Sequence, residues 1–369
     1  MTNKPFALRL AASSTLSLAL VFSSSFAAAR EAPRKAQTRA WAVMREALTS
    51  ADSVVREQAV QALEFIPGEQ SEKSLTSSLQ DDSDYVRIWA ARSLVRRGNP
   101  AGKPALLSIL LTVNETPKDA SGPLAALMRM RALAQGRLRG EAAKVLGLFK
   151  DPELKAVLQN AKRDNDGRVR DGAAVGLALM GDTSEGIVFA SAVKDKDKGV
   201  RQAAVEALED MADPRFELPI KGLLNDTEAD IRNVAARALG KMKAPGAAGP
   251  LSEHISDENG LVRESSVWAL GEIGAKEKSA LIKSALGDVN PYVKVAAAEA
   301  LGKLGDPSGL AAIEGAIAGN DLDARVKAAA ALSSMPGPLS QALAIKTMED
   351  GNLRVRLGAA AAILRGDRK

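Results

Sequence analysis

The chain has 369 residues, 46% of them hydrophobic and 26% charged, with a formal charge of +5. That composition excludes a disordered chain, and its charge is too mild to be the signature of a nucleic-acid binder. Aromatic residues make up only 3% and alanine is abundant, which suits helices packed closely on helices.

The first segment reads MTNKPFALRLAASSTLSLALVFSSSFAAAR. Lys4 and Arg9 make a basic start, Leu10 to Phe22 is apolar, and Ala27-Ala28-Ala29 offers small residues for cleavage. This predicts a bacterial-type secretory signal peptide over residues 1–29, too short and serine-rich in its apolar part to span a bilayer. No later segment is long and apolar enough to cross a membrane. Without Lys4 and Arg9 the formal charge falls from +5 to +3. There is no cysteine, so disulfides and a lipid-anchored cysteine are both excluded. The expectation is a periplasmic or secreted protein held together by packing alone.

After a short linker (30–37), a single phrase recurs to residue 366. Anchored on its first apolar residue it falls at Val55, Val86, Leu138, Val169, Val200, Ile231, Val262, Val293, Ala324 and Val355. The interval is 31 residues everywhere except for one of 52. A fixed period of this size predicts an all-α fold, an α-solenoid of about ten stacked two-helix repeats. Counting the anchor as position 0, position +4 is nearly always alanine (Ala59, Ala90, Ala235, Ala297) and +8 nearly always leucine (Leu63, Leu94, Leu239, Leu301). Positions 0, 4, 8 and 11 share one helical face. Asp52, Ser83, Asp166, Asp197, Asn259, Asn290, Asp321 and Asn352, at −3, predict N-caps. A shorter first helix precedes each phrase, with apolar residues at −11 and −7, as in Leu75/Leu79 and Ile220/Leu224.

The phrase D-x4-[VI]-R-x2-A-x2-A-L-G resembles the short HEAT-like repeats of the phycobilin lyase type, and the resemblance spans nearly the whole chain after residue 37. It implies a curved rod whose second helices line the concave side. Position +1 is basic in every copy and −5 is aspartate in seven. In HEAT repeats generally such a pair forms a ladder, which assigns Asp164, Arg170, Asp195, Arg201, Asp226, Arg232, Asp257 and Arg263 to the scaffold. The competing reading, a basic stripe for phosphate or acidic ligands, is weakened because each arginine travels with an acid.

Catalytic chemistry is sparse. His254 is the only histidine and sits in a packing column of its first helix. The resemblance also reaches deoxyhypusine hydroxylases, HEAT enzymes that need several His-Glu pairs for iron, which one histidine cannot supply. Cys/His zinc sites, Ser-His or Cys-His nucleophile pairs and phosphate-binding glycine loops are absent as well. No catalytic residue, metal or cofactor is assigned. Carboxylates such as Glu206, Glu209 and Asp210 read as a solvated face.

Columns +2, +3, +6 and +10 of the second helix are expected to point away from the packed face. Apolar or aromatic residues there mark candidate partner contacts: Ile88 and Trp89 beside Arg92, and Trp268 with Glu272, flanked by Val234, Arg237, Lys241 and Val295. Tryptophan ringed by arginine and carboxylates is the make-up of a hot spot, and packing into a local groove is the alternative. The 21 extra residues of the long interval lie within 114–137 and predict a helix opened by Ser121-Pro123 and running through Leu138. Its Leu127, Met128 and Met130 are either an adaptable binding surface or filler that packs back. The end, RLGAAAAILRGDRK, leaves an apolar last helix without a polar cap, which allows self-association there.

Together these features point to an exported, non-enzymatic scaffold holding a protein or peptide partner on its concave face, with no nucleic acid and no membrane span in the processed chain. The alternative, from the resemblance alone, is a bilin-lyase-like handler of a chromophore or other ligand.

Overall fold

The computed structural model describes residues 34–113 and 122–366, which are helical, with no strand among them. The signal segment, Ser121 and the tail 367–369 lie outside the described residues. Ten helix pairs follow in order. The first five are α1 (34–48) with α2 (Ser53–Leu63), α3 (Glu69–Ser78) with α4 (Asp84–Arg96), α5 (Lys103–Leu111) with α6 (Gly122–Gly147), α7 (Pro152–Ala161) with α8 (Gly167–Leu179), and α9 (Thr183–Ala192) with α10 (Lys198–Met211). The rest are α11 (Glu217–Gly222) with α12 (Ala229–Lys241), α13 (Ala248–Glu253) with α14 (Gly260–Ile273), α15 (Ser279–Ser284) with α16 (Pro291–Lys303), α17 (Leu310–Ile317) with α18 (Leu322–Ala331), and α19 (Pro338–Thr347) with α20 (Leu353–Arg365). Each pair is one repeat.

The local signals act as read. Asp52, Asp166, Asp197, Asn259, Asn290, Asp321 and Asn352 accept from backbone amides of the turn they open, which satisfies donors that a helix start leaves orphaned. Ser83 is the exception: its side chain does not cap α4, and its own amide donates to Asp81 at 2.8 Å. The anchor, +4 and +8 columns are buried in most repeats, with Val262, Ala235 and Leu239 fully so.

The second helices lie on the inside of the curve. Lys144 of α6 reaches Asp210 of α10 at 2.6 Å, and Lys327 of α18 pairs with Glu264 of α14. Each of these contacts skips a repeat, which helices approach only on the inner side of a bend. Neighbouring second helices touch through columns +2 and +3. Ser265 at +3 donates to Asn233 at +2 of the preceding repeat. Between α6 and α8 both places are glycine, and a Cβ on Gly172 would stand 2.2 Å from the Gly140 carbonyl oxygen.

The curvature closes on itself. Ala40 and Val43 of α1 share a core cluster with Ala359 and Ala360 of α20, and Met44, Leu63 and Leu357 share another. Arg39 pairs with Glu349 at 3.1 Å, Arg356 with Glu46 at 2.5 Å, and Arg354 donates to Gln58 at 3.1 Å. The stack is therefore a ring, not the elongated rod expected from the repeats. Self-association through an uncovered last helix is corrected for the same reason, because the first repeat buries the Ala359–Ala360 face.

The arginine ladder links repeats at a constant offset of 25 residues. Arg201, Arg232 and Arg263 each grip the aspartate of the next repeat, Asp226, Asp257 and Asp288, with Nε and Nη2 at 2.8–3.0 Å. Nη1 of the same arginine donates to two carbonyls of its own inter-helix turn, as Arg232 does to Asp226 and Thr227. The planar fork thus ties one turn to the next. Arg56–Asp81, Arg139–Asp164 and Arg325–Asp350 repeat the pairing. Burial works to raise the Asp226 and Asp257 carboxyls, but the arginine and an amide hydrogen bond outweigh it and hold them below the ordinary range.

One step that has both residues of the ladder is nevertheless open. Arg170 bonds only the carbonyls of its own turn, Asp164 and Asn165, and does not reach Asp195. The Asp195 carboxylate instead accepts from the Asp197 amide, and its carbonyl accepts from Arg201. The anchor Val200 is 42% exposed there. The glycine contacts bring α8 tightly onto α6, and Gly186 of α9 lies against the Phe216 ring.

Candidate functional site: the inner face of the ring

With three sides of every second helix covered, its inner face comes down mainly to columns +6 and +10. Most charged side chains there are already spent on one another. Glu209 at +9 is buried and accepts from both Arg237 (2.6 Å) and Lys241 (2.7 Å). Lys303 sits between Glu272 and Glu299, Lys144 between Glu141 and Asp210, and Arg96 pairs with Glu64. Glu209 is thus a clamp between repeats and not the solvated carboxylate that charge patterning suggests. The signal that would have found it is the pair of bases at +6 and +10 of the next repeat.

Trp268 is half-buried, its ring over Gly240, where a Cβ would stand 2.7 Å from the indole. The Lys303 ammonium lies 5.5 Å from the ring centroid. Trp268, Arg237, Lys241 and Glu272 therefore gather on one arc of the inner face. Val234, Val295 and Ile88 do not join them. All three are buried in core clusters, because columns +2 and +3 lie between adjacent second helices and not on the open face.

The second arc is built on Arg92 at +6 and, beneath it at the α2–α4 seam, Trp89. Its indole faces Glu57, and the Arg92 guanidinium stacks on its ring at 4.6 Å. Arg92 has no ion pair, and its Nε is shut off from solvent without an acceptor. Burial and the neighbouring Arg96 lower its pKa, while Glu64, Asp210 and Glu141 act in the opposite direction from further away. Arg92 is the inner-face cation that the scaffold leaves unanswered.

His254 caps the C-terminal end of α13, and its Nδ1 donates to the Pro250 carbonyl at 2.9 Å. Among the described residues no group of His, Cys, Asp and Glu is arranged to hold a metal, and no helix is long and apolar enough to cross a membrane. On the long α6, Leu127 and Met130 are exposed and Met128 is half-buried.

Where the inner face crosses the junction of first and last repeats, the charge lattice thins. Ala330 and Ala361 occupy +6, where other repeats carry Arg92, Lys144, Arg237 or Glu299. A cavity of about 480 Å³ opens there, bounded by Phe65, Val326, Lys327, Leu357 and Arg365 among others. Burial pushes the Lys327 ammonium down to about 8. The ammonium is in contact with the Glu264 carboxylate of α14.

Comparison with known proteins assigns the repeats to a family. The model of the HEAT repeats matches residues 27–121, 125–209, 216–288, 250–334 and 279–365. Human deoxyhypusine hydroxylase in complex with glycerol is 18% identical, over 74% of this chain and 98% of its own, with a TM-score of 0.36. The CpcE–CpcF complex of phycocyanin lyase from Nostoc sp. is 19% identical, over 73% and 95%, with a TM-score of 0.37. A designed armadillo repeat protein in complex with the peptide (KR)4 is 18% identical, over 50% and 100%, with a TM-score of 0.33. None of the curated proteins matches. At these levels the likeness carries no argument about architecture or activity. The fixed 31-residue period, the two-helix unit and the matches of the family model along the chain agree: it belongs to the HEAT-repeat family.

Proposed function

We propose that this protein is an exported, non-enzymatic scaffold that holds a protein or peptide partner on the inner face of its ring. The observation that carries the reading is Arg92. A guanidinium stacked on tryptophan, partly desolvated and without a carboxylate, is a costly arrangement for a scaffold to keep. It becomes favourable once a partner supplies the acceptor, and Trp and Arg are the residues that dominate interface energies. The Trp268–Lys303 arc offers a second aromatic anchor. Export rests on the basic start, apolar run and small-residue site of residues 1–29, together with the absence of cysteine.

Affinity capture from a periplasmic extract with wild type, Arg92→Gln and Trp268→Ala tests the binding face. The reading requires a partner retained by wild type and lost with at least one variant. Recovery of the same proteins by all three refutes it. The mass of the protein recovered from the periplasm tests export, with loss of residues 1–29 as the expected result and an intact cytoplasmic chain as the contrary one.

A second reading, a bilin-lyase-like handler of a chromophore or other small ligand, is favoured by one observation: the cavity at the junction has the size of a small-ligand pocket. A visible absorption band on the purified protein supports the chromophore version.

A further inference from the structure

The one long interval between repeats gives α6 an extension that the ring does not use. α6 starts at Gly122, 16 residues before its anchor Leu138, whereas α8 starts two residues before Val169. At 1.5 Å per residue this carries α6 about 21 Å past the level at which α8 begins. The base of the extension is fixed. Gly136 lies against the Asp166 carboxylate and Gly140 against the Arg168 carbonyl, and Arg139 donates through Nε to the Leu110 carbonyl of α5 at 2.8 Å. One side is covered, with Ala125 buried and Met128 and Ala132 half-buried. The opposite side is open.

With 3.6 residues per turn, Leu127, Met130 and Ala134 fall in one stripe along the open side. Leu127 is 45% exposed and Met130 68%. Arg131 borders the stripe on one side and Arg129 on the other, and Arg137 stands at its inner end; all three are exposed. No acid occurs between Asp119 and Glu141. Arg139 is held by Asp164, but none of the described residues pairs with Arg129, Arg131 or Arg137. Three unpaired positive charges around an apolar stripe fit an occupant that is negatively charged and offers apolar depth. Residues 122–137 include no aromatic side chain, the usual anchor of a protein interface. Leucine and methionine flanked by arginines suit a bilayer surface: the stripe enters the acyl boundary while the arginine stems reach the phosphates on either side.

We propose that the α6 extension is a docking surface for an anionic lipid bilayer, with Leu127 and Met130 entering one leaflet and Arg129, Arg131 and Arg137 meeting its headgroups. This is attachment and not a span, since no described helix is long and apolar enough to cross a membrane. One short stripe gives reversible binding, and the part carried by the arginines falls as salt screens them. The extension leaves the inner face of the ring free. Arg92 and Trp268 take no part, so docking and partner capture fail independently.

The chain from residue 30 is the material, because the apolar run of residues 1–29 would enter bilayers by itself. It keeps every repeat of the ring, and melting by circular dichroism checks that each variant is folded. The probes are extruded vesicles of phosphatidylglycerol and phosphatidylcholine in equal amounts, and of phosphatidylcholine alone, with bound protein read by cosedimentation. Wild type is expected to bind the anionic vesicles, to bind the neutral ones at least about tenfold more weakly, and to be released by about 0.5 M salt. Met130→Glu puts a carboxylate in the stripe, and Arg129→Gln/Arg131→Gln removes the charges that border it. Each is expected to weaken binding at least about tenfold with an unchanged melting curve. Lys196→Gln/Lys276→Gln removes the same charge from exposed positions elsewhere and is expected to bind as wild type does. Absence of binding to the anionic vesicles, equal binding to the neutral ones, undiminished binding by Met130→Glu, or equal losses in the two double variants overturns the proposal.

Discussion

Replacing Arg232 by alanine separates the scaffold role of the repeat arginine from a binding role. The side chain makes four hydrogen bonds, two to Asp257 of the next repeat and two to the carbonyls of Asp226 and Thr227. Breaking a fully buried pair costs about 3–5 kcal/mol and an exposed one about 0–1. This pair is nearly closed to solvent, yet Arg232 also stands 3.6 Å from Glu258, which is 90% exposed, so water reaches its edge. A loss of about 2 kcal/mol is the balance of the two. With an unfolding entropy of about 2.1 cal/mol/K per residue over some 330 residues, the melting temperature falls by about 3 °C. Arg170→Ala is the internal control. It keeps the same sequence position but has no cross-repeat aspartate, and only two turn carbonyls lose a donor. Its cost is expected to stay within about 0.5 kcal/mol. The assay is thermal and urea unfolding by circular dichroism, with partner capture in parallel. Equal losses for the two variants refute the ladder argument. So does a normal melting curve for Arg232→Ala with capture lost.

Two further substitutions probe packing. Ser266 occupies the alanine column, is fully buried, and its hydroxyl has no partner, so Ser266→Ala is expected to raise stability by about 1 kcal/mol, read from the urea midpoint. Gly172→Ala drives a methyl into the Gly140 carbonyl oxygen and is expected to cost about 1–3 kcal/mol, with the loss appearing as a lower melting temperature; no change there contradicts the close α6–α8 approach.

The repeats were legible because each depends on residues close in sequence. Capping by Asp197 or Asn259, the alanine at +4 and the leucine at +8 are decided within one helix pair, and ten copies made them plain. The 25-residue register of Arg232 on Asp257 is less local, yet the co-occurrence of the two residue types in most copies signals that they belong together. Ring closure has no such mark. It depends on a small rotation added at every repeat, and no residue pattern states the sum; Ser50 at −5 of the first repeat is no signal, because Leu133 and Gly319 replace the aspartate in interior repeats too. The same blindness misplaced Val234, Val295 and Ile88. A helical wheel shows which columns face away from the first helix, but not that a second helix on each side covers two of them. Arg92 and Trp268 stand out in the sequence by residue type and column, whereas the unpaired state of Arg92 and the cavity beside Phe65 depend on which neighbours are out of reach, and that is a property of the closed ring.

The chain contains no cysteine, so two introduced ones report on closure without interference. In Glu46→Cys/Arg356→Cys the labelled positions replace side chains that touch across the junction but lie 310 residues apart in sequence. A closed ring predicts that a short bis-maleimide joins them within one monomer, at high yield and independently of protein concentration. Failure to form that intramolecular link in the folded protein, or links only between molecules, contradicts the ring and with it the inner face on which the functional account rests.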